Sequence, residues 1–375
     1  MQEELFRSPN LVVRRVGSRG GTLIVTFGSR ADDLSPDRAG FAEDFLRRTR
    51  IDAIHVINRS NLWYQYPDIA EALAHVAATA RLYDRAITYG SSMGGYAAVR
   101  FAAACRADTA IALSPQISVD PRVAPWERRW QADIAHVRFD EAPLVPAKRQ
   151  YVFYDPHVGG DARHARAIAA AGAATLIPVP GGGHPVGALL VETGALQAAL
   201  RQIIADSFDP AAMLRQVRQA RRTSQHHYFV LAQRCAARHP ERAIRLLERA
   251  AALEPESHIL ALQAALLDRL GRPAEAAPLH RAAIQRTPSN AHAWMGYAAH
   301  LETRGDATTA VRALRSAAAH QHGAMLLDVR LAQSRLWLRR HALHWLDRVA
   351  DRAITRIRRS HYAPFVARRL GRLIH

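Results

Sequence analysis

"TYGSSMGGYAA" (88–98) decides how the first half of this chain folds. Two adjacent serines stand between glycines. The apolar run Ala86-Ile87-Thr88-Tyr89 precedes them, and an alanine-rich stretch from Gly94 to Arg106 follows. The first is a strand candidate and the second a helix candidate, so the glycines mark a sharp strand-to-helix turn. Gly90-Ser91-Ser92-Met93-Gly94 fits G-x-S-x-G with Ser92 at its centre. At such a turn the central residue is held in strained backbone geometry and its side chain projects above the sheet. Flanking glycines are required because a Cβ there would meet the neighbouring strand and helix. Ser92 is therefore the candidate nucleophile; Ser91 falls one place short of the turn's centre.

Outward from this turn, short and nearly continuous apolar runs recur: 11–16, 22–28, 51–58, 86–91, 109–115, 150–155 and 174–180. Such runs suit strands covered by helices on both faces. Helical stretches lie between most of them, at 36–49, 67–82, 94–106, 161–171 and 185–204. The alternation predicts an α/β fold class with a mostly parallel sheet.

A serine hydroxyl needs a base to take its proton and a carboxylate to orient that base. His184 follows the run "ATLIPVP" and the flexible "GGG" of 181–183. Asp155 ends "QYVFYD" ahead of Pro156. Both stand at carboxyl ends of strands, where an open α/β sheet places its site. Asp161 is the competing acid, although its position suits the opening of the next helix. His157 and His164 read as loop and helix-surface residues.

With these residues in the order Ser, Asp, His, residues of about 20–206 resemble the α/β-hydrolase fold, and "YDPHVGGDARHARAIAAAGAATLIPVPGGGH" resembles its stretch between acid and histidine. The resemblance implies a serine hydrolase of esterase type, with Ser92 as nucleophile, Asp155 as acid and His184 as base. It also implies an oxyanion hole from the Met93 N–H and that of Gly28 or Ser29, although "FGSR" stands where the family often has an HG signature. An acyltransferase using the same acyl-enzyme, and an inert hydrolase-fold scaffold, remain open. Residues 116–148 would form a small cap. The aromatic and amide groups Asn61, Trp63, Tyr64 and Trp126 form the candidate substrate pocket, suited to a small-molecule or carbohydrate ester.

From about residue 224 the strands stop and a repeat begins. Ala243, Ala276 and Ala310 follow at spacings of 33 and 34; Gly271 and Gly305 are 34 apart, and Pro255 and Pro288 are 33 apart. "AWMGYAAHLETRGDATTAVRALRSAAA" (293–319) reads as helix, turn at Gly305-Asp306, and second helix. This resembles the tetratricopeptide repeat, with units of about 257–290 and 291–323, a weaker one from about 224 and a degenerate one from about 324. The resemblance implies a protein partner. The expected domains are 1–206, a connector 207–223, helical repeats 224–353 and a basic tail 354–375. That tail reads as a solvated capping helix or as a segment on an anionic membrane surface.

Composition bounds the rest. The net charge of +18 is uneven. Residues 1–206 carry 23 basic and 21 acidic groups, whereas residues 207–375 carry 28 and 12. Lys148 is the only lysine. Without a recognition helix or stacking aromatics, the basic half does not point to nucleic acid. No apolar run reaches the length of a membrane span. The acidic, polar start lacks the regions of a signal peptide, and two distant cysteines make no disulfide framework, so a cytoplasmic protein is expected. There is no phosphate-cradling G-x-x-x-x-G-K-[ST] and no dinucleotide fingerprint, so no cofactor is expected. His226, His227, His341 and His344 read as surface histidines, with no ligand set at zinc-like spacing, so no metal is expected.

Overall fold

The computed structural model describes residues 2–17, 20–31, 33–319, 329–334 and 336. By contact the chain divides into two units, residues 1–130 with 137–221, and residues 131–136 with 222–375.

Among the described residues eight strands form one sheet: β1 (Gln2–Arg7), β2 (Leu11–Val16), β3 (Thr22–Phe27), β4 (Asp52–Asn58), β5 (Arg85–Ser91), β6 (Thr109–Leu113), β7 (Arg149–Tyr154) and β8 (Thr175–Pro178). Their order is β1-β2-β4-β3-β5-β6-β7-β8. β1 pairs antiparallel with β2, and β2 antiparallel with β4; every later pairing is parallel. The sheet is thus mostly parallel, as the apolar runs require. β1 has no apolar signature and is an addition to the sequence reading. It is an exposed, charged edge strand with a register shift between Glu4 and Phe6, and its Glu3 pairs with Arg15 of β2. Charged, irregular edges of this kind resist pairing with another chain.

Among the described residues seven helices of the first unit accompany the sheet: α1 (Glu43–Arg48), α2 (Ile69–Ala80), α3 (Met93–Arg100), α5 (Gly159–Ala171), α6 (Gly187–Glu192), α7 (Ala195–Ile204) and α8 (Pro210–Ala220); the single turn α4 (Gln131–Ile134) belongs to the second unit. The stretch 185–204 is divided into α6 and α7 by Gly194, whose φ of 67° lies in the left-handed region. Successive strand residues face opposite sides of the sheet. Ile24, Ile87, Ile111 and Phe153 pack with Leu196, Leu200 and Ile203 on one side, whereas Ala112 and Val152 pack with Val99, Ala165 and Ile168 on the other. Central strands buried on both faces explain the unbroken apolar runs.

Residues 207–223 are more than a connector. Asp209 caps α8 by accepting hydrogen bonds from the Ala211 and Ala212 N–H groups, and Pro210 supplies its first turn. Met213 and Val217 then join the same core as Ile203 and Leu196.

The second unit is helical, with α9 (Gln225–Cys235), α10 (Pro240–Leu253), α11 (Ser257–Arg269), α12 (Pro273–Arg286), α13 (Ala291–Thr303) and α14 (Ala307–Ala319). The repeat is visible in its hydrogen bonds. Gly271 and Gly305, with φ of 73° and 79°, end α11 and α13 in the left-handed conformation. The next N–H in each case, from Arg272 and Asp306, reaches back to the carbonyls of Leu267 and Leu301. These three positions repeat at the sequence interval of 34. Ala243, Ala276 and Ala310 are fully buried, where a larger side chain would push paired helices apart. The degenerate unit from about 324 falls largely, and the tail 354–375 wholly, outside the described residues, as do His341 and His344. No helix of the described residues is long and apolar enough to cross a membrane.

Candidate active site

The turn at Ser92 has the strain its sequence demands. Ser92 has φ 51° and ψ −116°, and its N–H donates to the Leu113 carbonyl at 2.8 Å. A residue other than glycine holds such a conformation only when its surroundings impose it, at a cost of about 1–3 kcal/mol. The surroundings here leave no slack. A Cβ on Gly90 would stand 2.1 Å from the Gly94 carbonyl oxygen, and one on Gly94 would stand 2.3 Å from that of Phe27. β5 and α3 therefore approach β3 closely enough to force the serine up over the carboxyl end of the sheet.

Ser92 Oγ lies 3.0 Å from His184 Nε2. His184 Nδ1 lies 2.7 Å from Asp161 Oδ2. An ionised carboxylate only accepts, so Nδ1 carries the proton and Nε2 is left as the acceptor for the serine hydroxyl. The three side chains thus form one directed chain: hydroxyl, imidazole, carboxylate. Ser92 is 6% exposed, and the Asp161 side chain has no exposure at all.

The carboxylate in that chain is Asp161, not Asp155. Asp155 is fully buried and committed elsewhere. Its Oδ2 accepts the N–H groups of Gly181 and Gly183 at 3.1 and 2.9 Å, and its Oδ1 accepts that of His157 at 3.0 Å. It builds the loop that carries His184 without touching the imidazole. Asp161 does sit in the first turn of α5, as the helix pattern indicated. That turn, however, aims its side chain at His184.

Arg129, from the insertion after β6, secures the other side of Asp161. Its Nη1 donates to Asp161 Oδ1 at 2.8 Å. Its Nε donates to Glu127, which also meets His164 Nε2 at 3.0 Å. Burial would raise the Glu127 pKa, but hydrogen bonds from His164 and Arg129 outweigh it and hold the group well below the usual carboxylate range. His164 is fully buried and receives the Ile117 N–H on Nδ1, so it is an internal link and not a surface residue. Trp130 completes the surroundings, its ring 5.7 Å from that of His184 and under the Arg129 guanidinium. The insertion that carries Glu127, Arg129 and Trp130 has little regular structure, so no periodicity marks these residues in the sequence.

The candidate oxyanion donors separate. The Gly28 N–H donates to the Val56 carbonyl at 3.2 Å and is not available. The backbone N–H groups of Met93 and Ser29 have no hydrogen-bond partner among the described residues. Ser29 Oγ donates to the Ser91 carbonyl at 2.8 Å, tying its loop to the serine turn.

The candidate pocket residues are mostly structural. Trp63 and Tyr64 are buried, with 0% and 1% exposure, and donate to Gln116 Oε1 and the Gly28 carbonyl. Asn61 bridges both backbone polar groups of Ala31. Trp126 packs on His164, at 5.8 Å between rings. These aromatics hold loops against the sheet, and Trp130 is the indole beside the imidazole. In the second unit His227 is buried, contrary to its surface reading.

No protein family and no curated protein matches the chain. Solved structures give distant likenesses. MamA is 16% identical over 42% of this chain and 89% of its own, with a TM-score of 0.29. YrrB, a TPR protein with an unusual peptide-binding site, is 15% identical over 48% of this chain and 92% of its own, at 0.29. Est1E from Butyrivibrio proteoclasticus is 12% identical over 55% of this chain and 98% of its own, at 0.37. Scores this low assign neither fold nor activity.

Proposed function

We propose that the first unit is a serine hydrolase of the α/β-hydrolase type, cleaving an ester through an acyl-enzyme. The reading rests on the hydrogen-bonded chain from Ser92 through His184 to Asp161 at a strained strand-to-helix turn. Ser92 Oγ attacks the ester carbonyl carbon as its proton passes to His184 Nε2, and Asp161 stabilises the imidazolium that forms. The Met93 and Ser29 N–H groups receive the oxyanion; losing one such donor costs about 2.7–4 kcal/mol in the barrier. The tetrahedral intermediate collapses, the imidazolium returns its proton to the departing alcohol, and an acyl group remains on Ser92. Water activated by His184 then releases the acid. An alcohol in place of water would make the same site an acyltransferase, and product analysis with a competing alcohol separates the two. With Trp63 and Tyr64 in packing roles, a small acyl ester is the substrate class, and no sugar preference is assigned. The helical repeats, on this reading, bind a protein partner.

A fluorophosphonate probe tests the proposal on the full-length chain. Label on Ser92 that disappears in Ser92→Ala supports it; a folded protein that takes no label is an inert scaffold.

A further inference from the structure

Three groups in the second unit converge at one point. Asp268 lies near the end of α11, His280 within α12 and His300 within α13. His280 Nε2 is 2.8 Å from Asp268 Oδ2, and His300 Nδ1 is 2.7 Å from Asp268 Oδ1. The imidazole centroids are 5.0 Å apart. One ligand atom from each residue can be chosen so that all lie within 4.8 Å of one another. We propose that Asp268, His280 and His300 bind a divalent transition cation of the zinc type.

The donor set points to that class. Two imidazole nitrogens and one carboxylate oxygen suit zinc or a neighbouring first-row ion, whereas calcium and magnesium ask for oxygen. The geometry needs little change. Ligand atoms about 2.0–2.2 Å from a tetrahedral ion stand about 3.3–3.6 Å apart. The two present contacts therefore open by under an ångström and the other ligand separations, within 4.8 Å, close by up to about 1.5 Å, through side-chain rotation, with each imidazole moving its proton to the nitrogen facing away. The carboxylate is 22% exposed, which leaves the ion a route in and room for a water ligand.

Burial is the second reason. Where helices cross elsewhere in this unit the chain places Ala276 and Ala310. Here it buries two imidazoles, at 0% and 2% exposure, against a carboxylate. His280 Nδ1 has no hydrogen-bond partner among the described residues, so the ring's one polar contact is with Asp268. An ion held between the three groups cross-links α11, α12 and α13, which belong to two successive repeats. The inference is independent of the hydrolase proposal.

The test uses the untagged full-length protein, stripped with a chelator and dialysed against zinc chloride. The expected result is one zinc per chain and a higher Tm than the stripped protein. Asp268→Asn and His300→Gln should weaken binding at least about tenfold, whereas His226→Gln should leave it unchanged. A cobalt-loaded wild type should show the intense visible absorption of a four- or five-coordinate ion, which keeps the test decisive if the variants fail to fold. Absence of stoichiometric zinc, zinc retained by both Asp268→Asn and His300→Gln, or a cobalt spectrum no different from the aqueous ion would each overturn the site and leave a hydrogen-bonded cluster alone.

Discussion

Replacing Asp161 and Asp155 separately by asparagine distinguishes the residue that orients the base from the one that builds its loop. In Asp161→Asn the amide keeps the carboxylate's shape. Arg129 Nη1, now 2.8 Å from Oδ1, offers only a proton, so the amide oxygen must face it. The amide NH2 is then left facing His184 Nδ1 at the position Oδ2 holds now, 2.7 Å away. Nδ1 has to become the acceptor, which moves the imidazole proton to Nε2, where it confronts the Ser92 hydroxyl. The base is in the wrong tautomer. Losses of this origin are about 10⁴-fold in kcat, or about 5.4 kcal/mol in the barrier. Asp155→Asn does something else. Its two oxygens accept three backbone N–H groups, and an amide can satisfy only one side. Each buried donor left unpaired costs about 1–3 kcal/mol of stability, and each kcal/mol lowers Tm by about 2–4 °C in a unit of this size. Chromogenic ester turnover and fluorophosphonate labelling rates, measured beside thermal unfolding, separate the outcomes. Asp161→Asn should lose activity with Tm nearly intact, and Asp155→Asn should lose Tm first. Wild-type turnover in Asp161→Asn, or a folded and inactive Asp155→Asn, would refute the assignment.

Three further outcomes are expected. Gly94→Ala should abolish fluorophosphonate labelling or yield insoluble protein, because its Cβ meets the Phe27 carbonyl at 2.3 Å; Gly159→Ala, with nothing within 4 Å, should label normally. The first unit should lose stability as pH falls from about 6.5 towards 4, because burial lowers the His55 pKa to about 4 and protons favour the unfolded chain in that window. His55→Gln should flatten that dependence in denaturation curves taken at each pH, and a slope unchanged by the substitution would count against it. Ala310→Leu should destabilise the second unit by about 1–3 kcal/mol, since the site is fully buried between paired helices; unchanged urea midpoints would show that the helices are not closely packed there.

Local chemistry made much of this protein readable from its residues. Seven of the eight described strands are apolar runs long enough to recognise, because strands buried on both sheet faces carry few polar residues. The glycines at 90 and 94 signal their turn because backbone contact excludes a side chain there. The repeat is legible because successive helix pairs bury the same small residue, Ala243, Ala276 and Ala310, and two of them turn at the same left-handed glycine, Gly271 and Gly305. β1 was not legible, since pairing with β2 and not apolar patterning makes it a strand.

Convergence between distant segments had to wait for the tertiary structure. The sequence favours Asp155, at the end of a strand, over Asp161, whose position suits the opening of the next helix. Only the path of the loop decides that one binds backbone and the other meets His184. Trp63 and Tyr64 read as ligand-facing aromatics until burial showed them to be packing. Arg129, Glu127 and His164 have no spacing that announces a network, and Asp268, His280 and His300 have none that announces a ligand set. Periodicity reports which face of an element is buried. It carries no record of which polar atoms from separate elements come within about 3 Å of each other, because that distance is set by how whole elements pack.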